Sequence, residues 1–454
     1  MKLPFLDRER ETARLHRLIE GEAGRFGVLY GRRRCGKSRL LQETIPTDRS
    51  VYFVGDDREP ALQRAGLATE IGRTIEGFDR VTYPDWDALL GRWWSDAPPR
   101  SVLVLDELPS LVARSHELPS VLQKLIDRNE TGTPHLIIAG SSQRMMQGLV
   151  MDRSAPLFGR ATEILEIRPL PAGWIETALK IGKAADAMEA FSVWGGVPRY
   201  WELAEDHPDL PSAVCSLILD PLGVLHDEPR RLLLDDLRDT TQAASILSLI
   251  GSGCHRVSEI AGRLGKPATS LARPLQRLME MGLVFRELPF GAPLRGSKRS
   301  LYRISDPFLR FWFRFVDPNR SRLEVRRPES VWREIASEMR HHVGSVWEDL
   351  ARESVPRLGL HGGEWGPAAR WWGPGLDKKP LEVDVVAEEV GGNRLLIGEV
   401  KWTAPHKADG IHRELVQKIN RLPFTRGREV LPILWLPGAP DDPASCHIVT
   451  PGSV

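Results

Sequence analysis

The stretch 26-FGVLYGRRRCGKSRLLQETI-45 decides how the chain is read. Phe26–Tyr30 is an apolar run of strand length, and after Ser38 a helix-like pattern puts Leu40 and Leu41 on a buried side. Between them stands G-x-x-x-x-G-K-[ST]. Gly31 and Gly36 let the backbone turn tightly and approach phosphate oxygens, Lys37 reaches the β/γ-phosphates, and the Ser38 hydroxyl suits a magnesium ion. Strand, loop and helix N-terminus together aim backbone N–H groups at an anion. The expected nucleotide-contacting set is Gly31, Arg32, Arg33, Arg34, Cys35, Gly36, Lys37, Ser38 and Arg39. Nucleotide chemistry does not demand residues 32–35. Two roles stay open for the arginines: added positive potential around a triphosphate, or projection into solvent beside the loop. Cys35, close to a helix N-terminus, is expected to have a lowered pKa and to make the loop sensitive to oxidation.

An ATP-hydrolysing site needs a second strand ending in acid, and 101-SVLVLDELPS-110 supplies it. Four apolar residues suit a parallel strand buried on both faces. Asp106 at its end can position magnesium beside Ser38, and Glu107 can activate the attacking water. Further strands are expected at 51–55, 135–142 and 163–167, which makes the first domain α/β with a parallel sheet and an extra strand between loop strand and acid strand.

The chain has 454 residues, too many for one ordinary core, so several domains are expected. With 41% hydrophobic and 27% charged residues it is globular in composition. A net charge of +1 gives no chain-wide basic signal, so any nucleic-acid surface must be local. The four cysteines are scattered without metal spacing and suit a reducing, cytoplasmic setting. The charged N-terminus lacks a signal-peptide core, no apolar run approaches the ~20 residues of a membrane helix, and no membrane partner is expected.

The ordered motifs FLDRERE, YGRRRCGKS, LVLDELPS, IIAGSSQRMM, PLFGRAT and GGVPRYW, over about residues 4–205, resemble the archaeal-type ATPases, relatives of the AAA+ and STAND branches of P-loop proteins. The resemblance implies Mg·ATP as cofactor, Arg8 and Glu9 near the adenine end, Ser141 as a sensor-like residue, and Arg160 as a catalytic arginine facing the phosphates or a neighbouring subunit. The GGVPRY glycines fit a helix–helix corner with Arg199 exposed.

Residues 243–305 read as helix, helix, turn, helix and hairpin, a winged-helix pattern. Ser258 is the expected N-cap and Gly265 the turn residue, while Leu271, Leu275 and Leu278 form one apolar face. Lys266, Ser270, Arg273 and Arg277 lie elsewhere, where a recognition helix meets DNA, and Arg295, Lys298 and Arg299 make a basic wing. Pro274 should make the second helix irregular. Winged helices also serve protein contacts, so a protein partner or a homo-oligomer stays open beside nucleic acid. Phe308, Phe311, Trp312 and Phe315 recur at helical spacing and are expected in the core.

In 382-EVDVVAEEVGGNRLLIGEVKW-402 two alternating strands flank a glycine turn. Glu399 and Lys401, two apart, project from one face, where Asp384 of the neighbouring strand can join them. Two carboxylates and a lysine can bind Mg²⁺ and orient a nucleophilic water; equally, they can pair as a cross-strand salt bridge. V-D followed by E-V-K resembles the PD-(D/E)xK nuclease core, with Val383 where that family has proline, and the resemblance implies Glu348 as a further acid. Gln417 and Lys418 on the next helix have two readings, contact with phosphate or, the preferred one, a solvated face.

The expected organisation is therefore an ATPase core (1–170), a helical lid (171–238), a winged helix (239–305), an aromatic connector (306–334) and a restriction-endonuclease-like α/β domain (335–454). The expected function is ATP hydrolysis coupled to nucleic-acid binding or cleavage. A nucleotide-controlled switch with a non-catalytic C-terminal docking module is the alternative.

Overall fold

In the computed structural model the described residues are 3–128, 132–237, 239–293, 299–325, 327–403, 407–440 and 446–454. Five strands, β1 (Phe26–Tyr30), β2 (Ser50–Val54), β3 (Val102–Asp106), β4 (His135–Gly140) and β5 (Glu163–Glu166), form a wholly parallel sheet in the order β2-β3-β4-β1-β5. β1, β3 and β4 are buried along their whole length, as continuous apolar runs in a doubly covered sheet should be. Val28, Leu103, Leu105 and Ile138 point into one core layer, and Leu29, Val102, Val104 and Ile137 into the other. Strand β4 lies between β1 and β3, which brings Gly31, Glu107 and Ser141 together at the carboxyl edge.

Short helices between Ile175 and Asp236 follow. At the corner between two of them Gly196 is required: a Cβ there would stand 2.0 Å from the Leu170 carbonyl oxygen. Arg199 is exposed beside it, as expected of that corner.

Helices Thr241–Gly251, Val257–Leu264 and Ala272–Glu280 then lead into the antiparallel ribbon β6 (Val284–Glu287) and β7 (Leu301–Ile304). Leu271, Leu275 and Leu278 are buried together, and Gly265 is left-handed at φ 62°. Two local expectations need correction. Ser258 does not cap its helix; the Glu259 carboxylate does so by accepting from the backbone N–H of Arg256 at 3.1 Å. Pro274 does not distort its helix either, because the α-helix begins only at Ala272 after a 3₁₀ turn over Ala268–Leu271. The proline therefore lies in the first turn, where no intrahelical N–H is lost.

Phe308, Phe311, Trp312 and Phe315 are all buried, as their spacing predicts. The 27-residue helix Pro328–Ser354 runs through the expected boundary at 334/335, so connector and last domain share one rigid element. Beyond it a mixed sheet has the order β12-β11-β10-β9-β8, built from β8 (Ala369–Pro374), β9 (Pro380–Glu388), β10 (Arg394–Val400), β11 (Glu429–Trp435) and β12 (His447–Val449). β8, β9 and β10 pair antiparallel; β11 joins β10 in parallel after the helix Ala408–Ile419. Among the described residues no helix is long and apolar enough to cross a membrane.

Candidate nucleotide site and C-terminal acidic cluster

The loop after β1 is built from backbone that few residues tolerate. Gly31 has φ 151°, Arg34 φ 67° and Gly36 φ 91°. A Cβ on Gly31 would stand 2.2 Å from the Ile167 carbonyl oxygen, whereas one on Gly36 would meet nothing within 4 Å. The first glycine is thus needed for close packing, and the second for its left-handed backbone.

Lys37, almost fully buried, donates to the carbonyls of Gly31 at 2.7 Å and Arg32 at 3.2 Å and to the Ser141 hydroxyl at 3.0 Å. Burial lowers its pKa, against the pull of Glu107. The Ser38 hydroxyl donates to Asp106 Oδ2 at 2.7 Å, and the Tyr52 hydroxyl donates to the same oxygen. Ser38 and Asp106 thereby offer adjacent hard oxygen ligands that fit a magnesium ion. Glu107 is left-handed at φ 51°, a costly conformation for a residue with a Cβ, and its carboxylate accepts from the Ser141 hydroxyl and backbone N–H. Lys37, Ser141 and Glu107 therefore form one hydrogen-bonded chain. A cavity of about 400 Å³ opens on this edge, with Leu3, Phe5, Leu6, Leu170 and Pro198 on its apolar side and Arg8 and Arg39 in its wall. Arg8 donates to the carbonyls of Cys35 at 3.2 Å and Arg168 at 2.7 Å, bracing the loop from beneath. Glu9 is exposed at the start of the first helix and is not part of that cavity wall.

Arg33 and Arg34 line this cavity, Arg33 is also exposed, and all three arginines pair with carboxylates far along the chain. Arg32 is buried and donates to Asp306 at 2.6 Å and to the Tyr200 hydroxyl at 2.8 Å. Tyr200 in turn donates to Glu228 at 2.9 Å, and Arg34 pairs with the other Glu228 oxygen at 2.5 Å. Arg33 pairs with Asp235 at 2.9 Å. Burial opposes the charge on Arg32, but Tyr200 and Asp306 outweigh it and hold the guanidinium above its ordinary pKa. Burial likewise raises Asp235 to about 6 against Arg33. The loop is thus tied to the Glu228–Asp236 helix and to the Asp306 cap of the aromatic connector. Tyr52, Tyr200, Glu228, Asp235 and Asp306 carry no local sequence signal for this, since each partner lies far along the chain.

One expectation is overturned and another is narrowed. Cys35 is fully buried, and burial pushes its thiol up rather than down, so it lacks the exposed thiolate that oxidation requires. Arg160 does not face the phosphates of its own chain. It forms a bidentate pair with Asp127 at 2.7 and 2.9 Å, close to Thr162, which bonds the Phe26 carbonyl at the opposite end of β1.

In the three-helix segment, Lys266, Ser270 and Arg273 are exposed and Arg277 is half-buried. The Ser270 hydroxyl donates to the Pro267 carbonyl at 2.7 Å. Arg299 donates to the Trp372 carbonyl at 3.3 Å, against β8. Arg295 and Lys298 lie outside the described residues.

In the C-terminal sheet, Asp384 and Glu399 stand one step beyond the paired positions Val385 and Gly398. Asp384 accepts from the Val400 N–H at 2.9 Å. Lys401 donates to Glu399 at 2.6 Å and lies 3.8 Å from Asp384, so the expected acid–lysine convergence is present. Burial opposes the charge on Lys401, but Glu399 and Asp384 raise its pKa. Lys418 is not on a solvated face: it donates to both Glu399 oxygens at 2.8 Å. Gln417 is exposed. Burial, then the charge of Asp384, raises Glu348 to about 7. Among the described residues no three His, Cys, Asp or Glu side chains converge as a metal-binding group. Glu348 lies close enough to feel the charge of Asp384 and to act on Lys401, while Lys401 and Lys418 both pair with Glu399.

Residues 5–66 match the family model described as an ATPase domain predominantly from Archaea, and residues 312–413 match one described as archaea bacterial proteins of unknown function. The uncharacterized protein MJECL04 of Methanocaldococcus jannaschii is 28% identical over 426 residues, covering 91% of this chain and 91% of that one. A Walker-type ATPase of Pyrococcus abyssi shares the fold at a TM-score of 0.51 with 20% identity, over 68% of this chain and 96% of that one. The family match coincides with the phosphate-binding loop and its buried lysine, and the chain is an ATPase through this N-terminal domain.

Proposed function

We propose that the chain uses a Mg·ATP cycle to control a nucleic-acid-processing C-terminal domain. The observation that carries this is the arginine run: the loop that contacts nucleotide is ion-paired to the lid helix and to the first residue of the segment leading to the C-terminal sheet. Bound Mg²⁺ supplies charge neutralisation on the phosphates. Lys37 holds the β/γ-phosphates, Ser38 and Asp106 hold the cation, and Glu107 activates water once Ser141 releases its carboxylate. A phosphate drawing the Lys37 ammonium away from Ser141 weakens that restraint on Glu107.

Two features support the downstream reading. Three helices and a ribbon follow one another in winged-helix order, with Lys266 and Arg273 exposed for DNA backbone contact. The later order of long helix, three antiparallel strands, helix and parallel strand is that of a PD-(D/E)xK core, with Asp384, Glu399 and Lys401 in the expected relation. Phosphodiester cleavage at this cluster requires Lys401 and Lys418 to yield Glu399 to a divalent cation. The pairing of both lysines with Glu399 favours a second reading, a nucleotide-controlled switch whose terminal domain binds without cutting.

Hydrolysis should fall about 10²–10⁴-fold in Glu107→Gln while ATP binding persists. DNA stimulation of turnover, lost in Lys37→Ala, supports coupling; no DNA response removes it. Plasmid cleavage with Mn²⁺ that disappears in Glu399→Ala supports the nuclease. Equal inactivity of wild type and variant removes the nuclease, and slow turnover with tightly retained nucleotide would then favour the switch.

A further inference from the structure

A second cavity, of about 410 Å³, lies far along the chain from the phosphate loop. It is bounded by the turn Gly251–Gly253 at the end of a helix, by β7, by the aromatic connector and by the 328–354 helix. Its polar wall is His255, Arg303, Arg310, Arg314, His341 and Ser345, and among the described residues no carboxylate lines it.

The acids that pair with the arginines of this wall lie behind it. Arg303, Arg310 and Arg352, with side chains 10–11% exposed, share Asp349 and Glu287. Arg303 Nη1 is buried and makes no hydrogen bond; it stands 3.6 Å from Glu287 and 3.7 Å from Asp349. Glu348 adds a weaker attraction on Arg303. Arg314, 23% exposed, pairs among the described residues with the exposed Glu338 at 3.0 Å. The neighbouring His342 reports the same positive field: burial, reinforced by Arg310, Arg314 and His341, lowers it to about 3. A concave wall that carries guanidinium and imidazole groups but no carboxylate is chemistry that a phosphate dianion satisfies through charge-assisted hydrogen bonds.

We propose that this cavity binds a small phosphorylated ligand, separate from the ATP at the loop, with Arg303, Arg314 and His341 around its phosphate. The concave shape of the wall, with Arg303 buried at its back, favours a small molecule over a nucleic-acid backbone. The volume lies within the ~300–1,000 Å³ typical of small-ligand pockets. Such a ligand would join the three-helix segment to the long helix that carries Glu348, and so act on the C-terminal cluster independently of the phosphate loop.

The test uses the full chain saturated with Mg·ADP, so that the loop is filled, titrated calorimetrically with ribose 5-phosphate and with ribose. One further equivalent of ribose 5-phosphate should bind and ribose should not. Arg303→Gln is the obvious variant but risks the fold, because Arg303 lies in the buried ion-pair cluster. Arg314→Gln combined with His341→Ala touches only the rim and should weaken binding about tenfold or more. No additional binding, equal binding of ribose, or affinity unchanged in the double variant each overturns the site. A DNA duplex that competes for it and itself loses affinity in the double variant overturns the small-ligand assignment.

Discussion

Replacing Asp306 by asparagine tests whether the arginine run holds the phosphate loop to the rest of the chain. Asn keeps the shape of the side chain and can still cap the Pro307–Phe311 helix, where Asp306 Oδ1 accepts from the Leu309 N–H at 2.9 Å. What it removes is the charge facing Arg32 at 2.6 Å, in a pair whose side chains are 11% and 8% exposed. Breaking a buried pair from one side costs about 3–5 kcal/mol. With the amide oxygen still accepting, the low end applies, so Asp306→Asn should cost about 3 kcal/mol. Arg32→Met should cost about as much, since Asp306 then keeps only its cap. If the two act as a pair, the double variant loses about 3–4 kcal/mol rather than the sum, a coupling of about 2–3 kcal/mol. A chain of several domains does not unfold in one step, so the quantity to read is local. Hydrogen exchange of the amides in β1 and in the loop gives the opening free energy of that unit. Losses that add within ~0.5 kcal/mol would refute the pairing, and with it the route proposed from nucleotide to connector.

The same geometry makes other demands. Gly31→Ala should raise the Kd for ATP about 100-fold or more, because its Cβ meets the Ile167 carbonyl at 2.2 Å. Gly36→Ala has room but a left-handed φ, so strain of ~1–2 kcal/mol should cost about tenfold or a little more in the same titration. Cys35 is buried with its thiol pushed up, so ATPase activity should survive mild peroxide, and Cys35→Ser should leave that resistance unchanged. His342, lowered to about 3 and bonded to the Ser192 carbonyl at 2.8 Å, is neutral in the folded state and protonates in the unfolded chain below its ordinary 6.5. Its contribution is complete above pH 6.5 and is lost as pH falls towards 3; His342→Leu should flatten denaturation midpoints across that window.

The nucleotide domain was legible because its chemistry is local. A β strand, two glycines, a lysine and a serine lie within a dozen residues, and Asp106 with Glu107 end an apolar run. The pairing of Asp384, Glu399 and Lys401 was legible for the same reason, since one hairpin holds all three. Contacts between elements distant in sequence were not. Asp306 meets Arg32 across 274 positions, and Tyr200 meets it across 168. Nothing in GRRRCGKS distinguishes an arginine aimed at solvent from one buried on a distant carboxylate. Lys418 was misplaced because helical periodicity puts it near polar neighbours, whereas the helix presents that edge to the end of β10. The motif of Arg160 leaves two roles open, and only the end of the sheet at which it lies removes the one on its own chain's phosphates.

The three arginines differ in what they can transmit. Arg33 has a side chain 57% exposed and pairs with an aspartate that burial raises to about 6, so its link to the lid is weak and screened. Arg34 and Arg32 are joined through Glu228 and Tyr200 into one unit, with Arg34 32% exposed at its edge and the rest largely buried, where moving one member leaves another unpaired. Such a unit favours two arrangements over a continuum, because intermediate positions strand a buried charge. Arg34 is also the left-handed residue of the loop, so a phosphate that reshapes the loop backbone must move its guanidinium against Glu228. On the coupling proposed above, the strain of that one residue and the network that holds it would act as one device, with Asp306 as its outlet towards the C-terminal half.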